Sequence, residues 1–192
     1  MRTGLIDYDG RDVLAGRITF SEFREGRAIW MIGRVLETPD GEPLVTGPKY
    51  LGLPGDKPIF GWEEAMLHPR GVCVVEGPVD LLALRMWGVP GVALAGNRLR
   101  YENLVQLERF ERLYVALDPD PGGQKGTQAL VRHLGSRAVP VKLPGEDDVG
   151  KLASYPDGKE QLAAAIVRAV VATQSDLETI NELQRVFNRH PE

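Results

Sequence analysis

Short apolar runs separated by helical patterns fill the segment from Gly71 to Pro144. Each run is bounded by glycine, proline or charged residues, and the stretches between the runs carry apolar residues at helical spacing. This alternation is typical of βαβ units that build a parallel sheet. It predicts the order β-α-β-α-β-α-β, with strands at VCVVE (72–76), GVALA (91–95), LYVALD (113–118) and AVPVKL (138–143).

The preceding part of the chain has a different pattern, in which apolar residues recur at the period of a β-strand. Glu25-Gly26 separates two such stretches and suits a two-residue hairpin turn. The pattern therefore predicts a small β-rich region before the parallel sheet. Its alternating apolar positions are Ile18, Phe20, Ala28, Trp30 and Ile32.

Two helices are predicted after the sheet. Residues 159–171 form one helical pattern, and Ser175 followed by Glu178 is a capping-box signal for another. The second helix needs a surface that buries its apolar stripe, either on a separate protein or on its own domain. The stripe consists of Leu177, Ile180, Leu183, Val186 and Phe187. The chain is thus divided into a β-rich region (1–70), an α/β core (71–155) and a C-terminal helical segment (156–192).

Length and composition fit one folded domain with an appendage, since 192 residues are 43% hydrophobic and 26% charged. No apolar run approaches the roughly 20 residues that span a bilayer, and the opening MRTGLIDYDG has acids where a signal peptide is apolar. We therefore expect a soluble, cytoplasmic protein without a membrane partner. The single cysteine, Cys73, lies in an apolar run, which predicts a buried thiol and excludes an intramolecular disulfide and a zinc ribbon.

The charge of the chain argues against a broad basic surface. Its formal net charge is −4 at pH 7, and its isoelectric point is about 5.5. Free-standing nucleic-acid-binding domains usually present a basic field to the phosphate backbone. Any contact with phosphates is therefore expected to be local and weak.

Acidic residues follow the predicted strands. Glu76 comes directly after an apolar strand and is followed by Gly77, which places it at the carboxyl edge of the sheet, where open α/β sheets bind ligands. Asp80 comes one helical turn later. It either faces the same way as Glu76 or serves the start of the helix, where the macrodipole favours an acid.

Two further acidic groups follow later strands. Asp118 and Asp120 stand at i and i+2, so both can offer oxygens to one or two Mg²⁺ ions, although Asp, Pro and Gly are also common in turns. The third group is Glu146, Asp147 and Asp148, which could equally be a solvated loop. Carboxylates gathered at one edge repel each other unless a cation neutralises them. The combination favours a magnesium site for phosphoryl transfer.

These motifs resemble a known family. A strand ending in Glu-Gly and a later strand ending in Asp-x-Asp are similar to the motif pair of the TOPRIM fold, shared by DnaG-type primases, type IA and II topoisomerases and some nucleases. The stretches EGPVDLLAL, LDPDPGGQKGTQAL and LPGEDDVGKLA resemble the primase branch. Upstream, RITF, GRAIWMIGRVL and GPKYL resemble the strand-rich region that precedes TOPRIM in primases. The resemblance runs from about Gly16 to Leu152.

The resemblance implies an α/β fold with a TOPRIM-like parallel sheet flanked by helices, a β-rich subdomain before it and helices after it. It also implies Mg²⁺ or Mn²⁺ as cofactor. The residues that it implies as metal-binding and catalytic acids are Glu76, Asp118 and Asp120, with Asp80, Asp147 and Asp148 as further metal-site acids. The implied nucleotide- or nucleic-acid-binding cations are Arg34, Lys49 and Arg98.

The activity that the resemblance implies is primer synthesis by a nucleotidyltransferase on a single-stranded DNA template, from nucleoside triphosphates. Primases of this family also carry a zinc-binding domain and a helicase-binding domain, neither of which the sequence accommodates. We therefore expect a separate zinc-binding or helicase-like protein as partner. Two alternatives remain open: a metal-dependent TOPRIM nuclease, and a catalytically weak module that binds nucleic acid or a partner.

Overall fold

The computed structural model describes residues 5–96, 99–145, 147–173 and 185–187. Backbone contacts divide the chain into two units, Met1–Pro58 and Ile59–Glu192. The stretch 59–70, which the sequence pattern groups with the β-rich region, pairs with the second unit because Phe60 bridges Ala93.

The first unit is built on a three-stranded antiparallel sheet. Its strands are β1 (Arg17–Arg24), β2 (Arg27–Val35) and β3 (Tyr50–Gly52), in that spatial order. Glu25 and Gly26 form the turn between β1 and β2 with φ of 49° and 72°, the positive values that a tight hairpin turn of this class requires. The predicted hairpin and β-rich region are confirmed.

The second unit is built on a four-stranded parallel sheet. Its spatial order is β5-β4-β6-β7, and all three pairings are parallel. The predicted alternation of strands and helices is confirmed, although each strand is shorter than its apolar run. The strands are β4 (Val72–Val75), β5 (Gly91–Ala93), β6 (Leu113–Val115) and β7 (Ala138–Pro140).

Helices cover the faces of this sheet. All four side chains of β4 are at most 1% exposed, including Cys73, so this central strand is buried on both faces, as is usual in parallel sheets. The predicted buried thiol is thus confirmed. None of the described helices is long and apolar enough to cross a membrane. They are α1 (Trp62–Ala65), α2 (Pro78–Met86), α3 (Tyr101–Leu107), α4 (Pro121–Leu134), α5 (Val149–Leu152) and α6 (Gly158–Ala172).

The order of the strands creates a switch point. From β4 the chain crosses through α2 to β5 on one side, and it returns through α3 to β6 on the other side of β4. Ligands of open α/β sheets bind at the carboxyl ends of the strands where the winding direction reverses. The segments that follow β4 and β6 therefore occupy the position where a ligand is expected.

The predicted helix from Ser175 lies outside the described residues except for 185–187, which are helical. Within these three residues, Val186 and Phe187 are half-buried. They line a cavity of about 440 Å³ together with Cys73 and Tyr114 of the same unit. This part of the predicted stripe therefore packs on its own domain.

Candidate active site

Glu76 lies directly after β4, at the switch point. Its side chain is half-buried, and its Oε2 atom is buried without a hydrogen-bond partner. An unpaired buried carboxylate oxygen is costly, and such an atom in a folded protein calls for an explanation such as an ion or a ligand. Glu76 lies at the edge of the sheet where open α/β sheets bind their ligands.

Other acids surround Glu76. Burial, followed by the negative charges of Asp118, Asp120 and Asp80, raises the pKa of Glu76 to about 7. Desolvation and like charges both disfavour the ionised carboxylate, whereas a bound cation would favour it. The acids that follow β4 and β6 are therefore close enough to interact electrostatically, as their positions at strand ends require.

Asp118 and Asp120 stand at the junction between β6 and α4. Asp120 is the N-cap of α4, because its Oδ1 accepts a hydrogen bond of 2.7 Å from the backbone N–H of Gly123. A Cβ atom at position 123 would lie only 2.0 Å from the carbonyl oxygen of Asp118. Glycine is therefore the residue that lets the first turn of α4 fold against Asp118 and fix the Asp-x-Asp segment.

Asp80 is a buried acid in the first turn of α2, with 8% of its surface exposed. Its Oδ2 accepts a hydrogen bond of 2.9 Å from the N–H of Gly77, and its Oδ1 accepts one of 2.8 Å from the N–H of Gly150. Burial raises the pKa of Asp80, the two backbone hydrogen bonds oppose that rise, and the charge of Asp148 adds to it. Both roles considered for Asp80, facing the site and serving a helix start, are compatible with this position.

The third acidic group begins a short helix. Asp148 is the N-cap of α5 and accepts a hydrogen bond of 2.5 Å from the N–H of Lys151. Tyr155 donates a hydrogen bond to Asp147, which raises the pKa of the Tyr155 hydroxyl. Glu146 lies outside the described residues. Tyr155 and Gly150 are contacts of the acidic groups that sequence reasoning missed, since neither residue type carries a motif signal at its position.

Arg34, Lys49 and Arg98 are the three residues predicted to bind nucleotide or nucleic acid. Arg34 lies on β2 of the first unit, where its Nη1 donates to the Tyr50 hydroxyl at 3.4 Å and its guanidinium lies 5.7 Å from the centre of that ring. Lys49 is exposed in the same unit, and Arg98 lies outside the described residues. Their roles toward nucleotides remain predictions.

The acids fit a cation that keeps part of its hydration shell. Among the residues that the structure describes, no three His, Cys, Asp or Glu side chains form a preformed cage for a metal ion. Mg²⁺ is usually held by one or two carboxylates, with water and substrate phosphates completing its coordination. The unpaired Oε2 of Glu76 beside the charges of Asp118 and Asp120 matches this kind of open site.

Comparisons with known proteins agree with the geometry. The Toprim-like family matches residues 73–152, the stretch that contains all of these acids. The crystal structure of the Aquifex aeolicus primase, with its zinc-binding and RNA polymerase domains, superposes with a TM-score of 0.65 at 25% identity over 92% of this chain. The chain carries a TOPRIM domain resembling those of DnaG-type primases. It spans 47% of the Aquifex chain, so the remainder of that protein has no counterpart in the superposition.

Two more relatives extend the comparison. The RNA polymerase domain of the Mycobacterium tuberculosis primase DnaG matches with a TM-score of 0.64 at 20% identity, covering 94% of this chain and 67% of that one. The Gene 57 protein of Mycobacterium phage D29 is 25% identical over 121 residues, which cover 62% of this chain and 78% of the relative. The two structural superpositions cover 92% and 94% of this chain, and they support a primase-like fold.

Proposed function

We propose that this protein is a primase-type nucleotidyltransferase that uses Mg²⁺ or Mn²⁺ to extend a primer on single-stranded DNA. The TOPRIM domain and the primase-core fold support a nucleic-acid enzyme of the primase kind. The observation that carries the specific chemistry is the buried, unpaired Oε2 of Glu76 at the edge that also bears Asp118 and Asp120. An acidic edge of this kind suits a substrate that brings phosphate oxygens and a cation.

Each acid contributes in its own way. Glu76 and Asp118 would hold the cation, and Asp120 would join them with the oxygen that does not cap α4. Mg²⁺ or Mn²⁺ held by these residues would supply activation of a 3′-hydroxyl and stabilisation of negative charge on the α-phosphate as pyrophosphate leaves. The hydrogen bond from Gly123 keeps Asp120 at a fixed point of the α4 N-terminus, so little reorganisation is needed when substrate binds.

The phosphates of template and nucleotide need cations besides the metal. We assign this role to Arg34 and Lys49, because arginine clamps phosphate with two hydrogen bonds and lysine acts as a point charge. With a net charge of −4, the chain is expected to bind single-stranded DNA weakly and to lose that binding quickly as salt rises. We propose that a separate zinc-binding or helicase-like protein raises the local concentration of template. Structural relatives include the zinc-binding and RNA polymerase domains of a primase and the primase fragment of a primase-helicase.

A nuclease is the second candidate. In the metal-free protein the pKa of Glu76 is raised to about 7, a value that would suit general-base activation of a water molecule at neutral pH if Glu76 did not itself hold the cation. In that case water replaces the 3′-hydroxyl and the product is a shortened strand. One incubation with single-stranded DNA, labelled nucleoside triphosphates and Mg²⁺ or Mn²⁺ separates the two functions, because it reports extended and shortened products together.

The same reaction tests the acidic edge through Asp118→Asn combined with Asp120→Asn. We expect product formation to fall by about 100-fold or more, because the carboxylates that hold the cation are lost. The melting temperature of the metal-free protein should hold or rise, since removing like charges relieves repulsion and asparagine still caps a helix. Thermal denaturation and quantified gel products measure the two effects.

The matched control is Asp157→Asn combined with Glu160→Gln, which removes two negative charges at the start of α6 and should leave product formation unchanged. Wild-type rates in the Asp118/Asp120 double variant would show that the assigned acids do not hold the catalytic metal. Shortened templates without extension in the wild-type protein would replace the primase proposal with the nuclease.

A further inference from the structure

One buried carboxylate joins two of the acidic groups. Asp80 accepts hydrogen bonds from the N–H groups of Gly77, which follows Glu76, and of Gly150, which lies 70 residues further along in the first turn of α5. Hydrogen bonds to an ionised carboxylate are about twice as strong as those between neutral groups. The side chain of Asp80 therefore fixes the distance between the Glu76 loop and the Asp147–Asp148 loop.

Gly150 can approach Asp80 this closely because it has no side chain. A Cβ atom at position 150 would lie 2.8 Å from Asp80 Oδ1 and 3.4 Å from Asp148 Oδ1. The first of these separations is shorter than real Cβ atoms show, so alanine at this position would force either the Asp80 carboxylate or the backbone of α5 to shift and would disturb their hydrogen bond. Asp148 meanwhile caps α5 through Lys151 and cannot move independently of that helix. Displacement of α5 would therefore move Asp148 relative to Glu76.

We infer that Asp80 and Gly150 form a positioning pair, in which Asp80 orients the Glu76 loop and the Asp147–Asp148 loop and does not itself bind the metal. This inference rests on the proposed function for its kinetic consequences. Both oxygens of Asp80 already accept backbone hydrogen bonds, whereas Oε2 of Glu76 has no partner, so the two acids have different roles. Partners of this kind commonly affect activity by about 10- to 100-fold although they do not touch the substrate.

A double-mutant cycle distinguishes a positioning pair from an additional metal ligand. Asp80→Asn removes the charge and leaves one oxygen acceptor for the two backbone N–H donors, so at least one hydrogen bond is lost. Gly150→Ala leaves every charge in place. We expect each single variant to lower kcat for primer extension by about 10-fold, with KM for the nucleotide within about twofold of wild type. The combined variant should be no slower than the slower single variant, because both changes break one interaction.

Gly71→Ala is the matched control. Gly71 directly precedes β4, at the end of that strand opposite to Glu76. Its Cβ would lie 3.2 Å from the ring of Tyr114, so the substitution crowds the same domain away from the acids. We expect it to lower the melting temperature without changing kcat. If Gly150→Ala keeps kcat within about twofold of wild type, or if the losses of the two variants multiply, Asp80 and Gly150 do not act as one unit and the positioning pair is excluded.

Amide hydrogen exchange of the metal-free protein tests the pair without relying on activity. Gly150→Ala should speed exchange at the Gly77 amide, because Asp80 is the link between the two backbone segments. Asp80→Asn should speed exchange at both amides. A Gly77 amide that is indifferent to Gly150→Ala overturns the inference. Absence of primer extension in the wild-type protein instead overturns the proposed function and leaves this exchange result to decide on the pair.

Discussion

At the scale of single residues, the ionisation of Glu76 reflects the whole acidic edge. Its ordinary pKa of 4.5 rises to about 7 because the side chain is partly buried and faces the charges of Asp118, Asp120 and Asp80. A group that binds its proton more tightly in the folded protein favours folding only while it stays protonated. Glu76 therefore links the stability of the metal-free protein to pH.

We predict that the metal-free protein loses stability as pH rises from about 4.5 to about 7. In this window the unfolded chain has released the proton while folded Glu76 still binds it, so the free energy of unfolding falls with increasing pH. Glu76→Gln cannot ionise and should be more stable than wild type above about pH 7 and similar to it below about pH 4.

Thermal denaturation in a chelating buffer across this range measures the difference. Adding Mg²⁺ at the upper end should raise the melting temperature of wild type more than that of Glu76→Gln, because a cation that binds the folded state stabilises it. If the melting temperatures of wild type and Glu76→Gln differ by the same amount at every pH, the raised pKa of Glu76 is contradicted.

At the scale of elements, the first turn of α4 sets the geometry of the Asp-x-Asp segment. Gly123 allows this turn to contact the backbone of Asp118, and no side chain fits between them. We predict that Gly123→Ala lowers the free energy of unfolding by about 1–3 kcal/mol, the usual cost of overpacking, and also lowers activity because Asp118 and Asp120 shift. Chemical denaturation and the primer-extension assay measure the two effects.

Gly126→Ala is the control within the same helix. Its Cβ would lie 2.9 Å from the end of the Leu117 side chain, which can move, and alanine gains up to about 1 kcal/mol over glycine in a helix interior. We expect this variant to stay within about 1 kcal/mol of wild type. Equal losses for the two variants would mean that the backbone contact of Gly123 has no special importance.

At the scale of the whole molecule, the parallel sheet of the second unit has acidic residues at one edge and a cavity at the opposite edge. The acids follow the carboxyl ends of β4 and β6, whereas the cavity of about 440 Å³ lies near the starts of β4 and β5 and is lined by Val186 and Phe187. Cys73 is the single cysteine of the chain and also lines this cavity. Its thiol is therefore a specific reporter of this region.

We predict that Phe187→Ala lowers the free energy of unfolding by about 1–2 kcal/mol, because a half-buried aromatic ring loses part of its packing. It should also speed the reaction of Cys73 with a maleimide, since burial protects that thiol and raises the pKa of Cys73 to about 12. Val171→Ala, on an exposed position of α6, is the control and should change neither quantity. A variant with unchanged stability and an unchanged thiol reaction rate would contradict the packing of Phe187 on this cavity.

Much of the fold follows from local patterns in the sequence. The runs VCVV and LYV are apolar throughout because central parallel strands are buried on both faces, so β4 and β6 could be recognised without a structure. Strand ends were overestimated, since apolar residues such as Leu117 continue into the buried loop after the last paired residue. Glu76 and Asp118 could be placed at one edge because parallel strands share the direction of their carboxyl ends.

The sequence by itself determined which residues are acidic, which strands precede them and that those strands run parallel, because each of these depends on residue type and short-range periodicity. Only the tertiary structure decided what each acid contacts. Asp80 reaches Gly150 across 70 residues, and Oε2 of Glu76 is buried without a partner. Such contacts arise from the packing of α2 and α5 and from the order of the strands, and no local pattern encodes the distance between atoms so far apart along the chain.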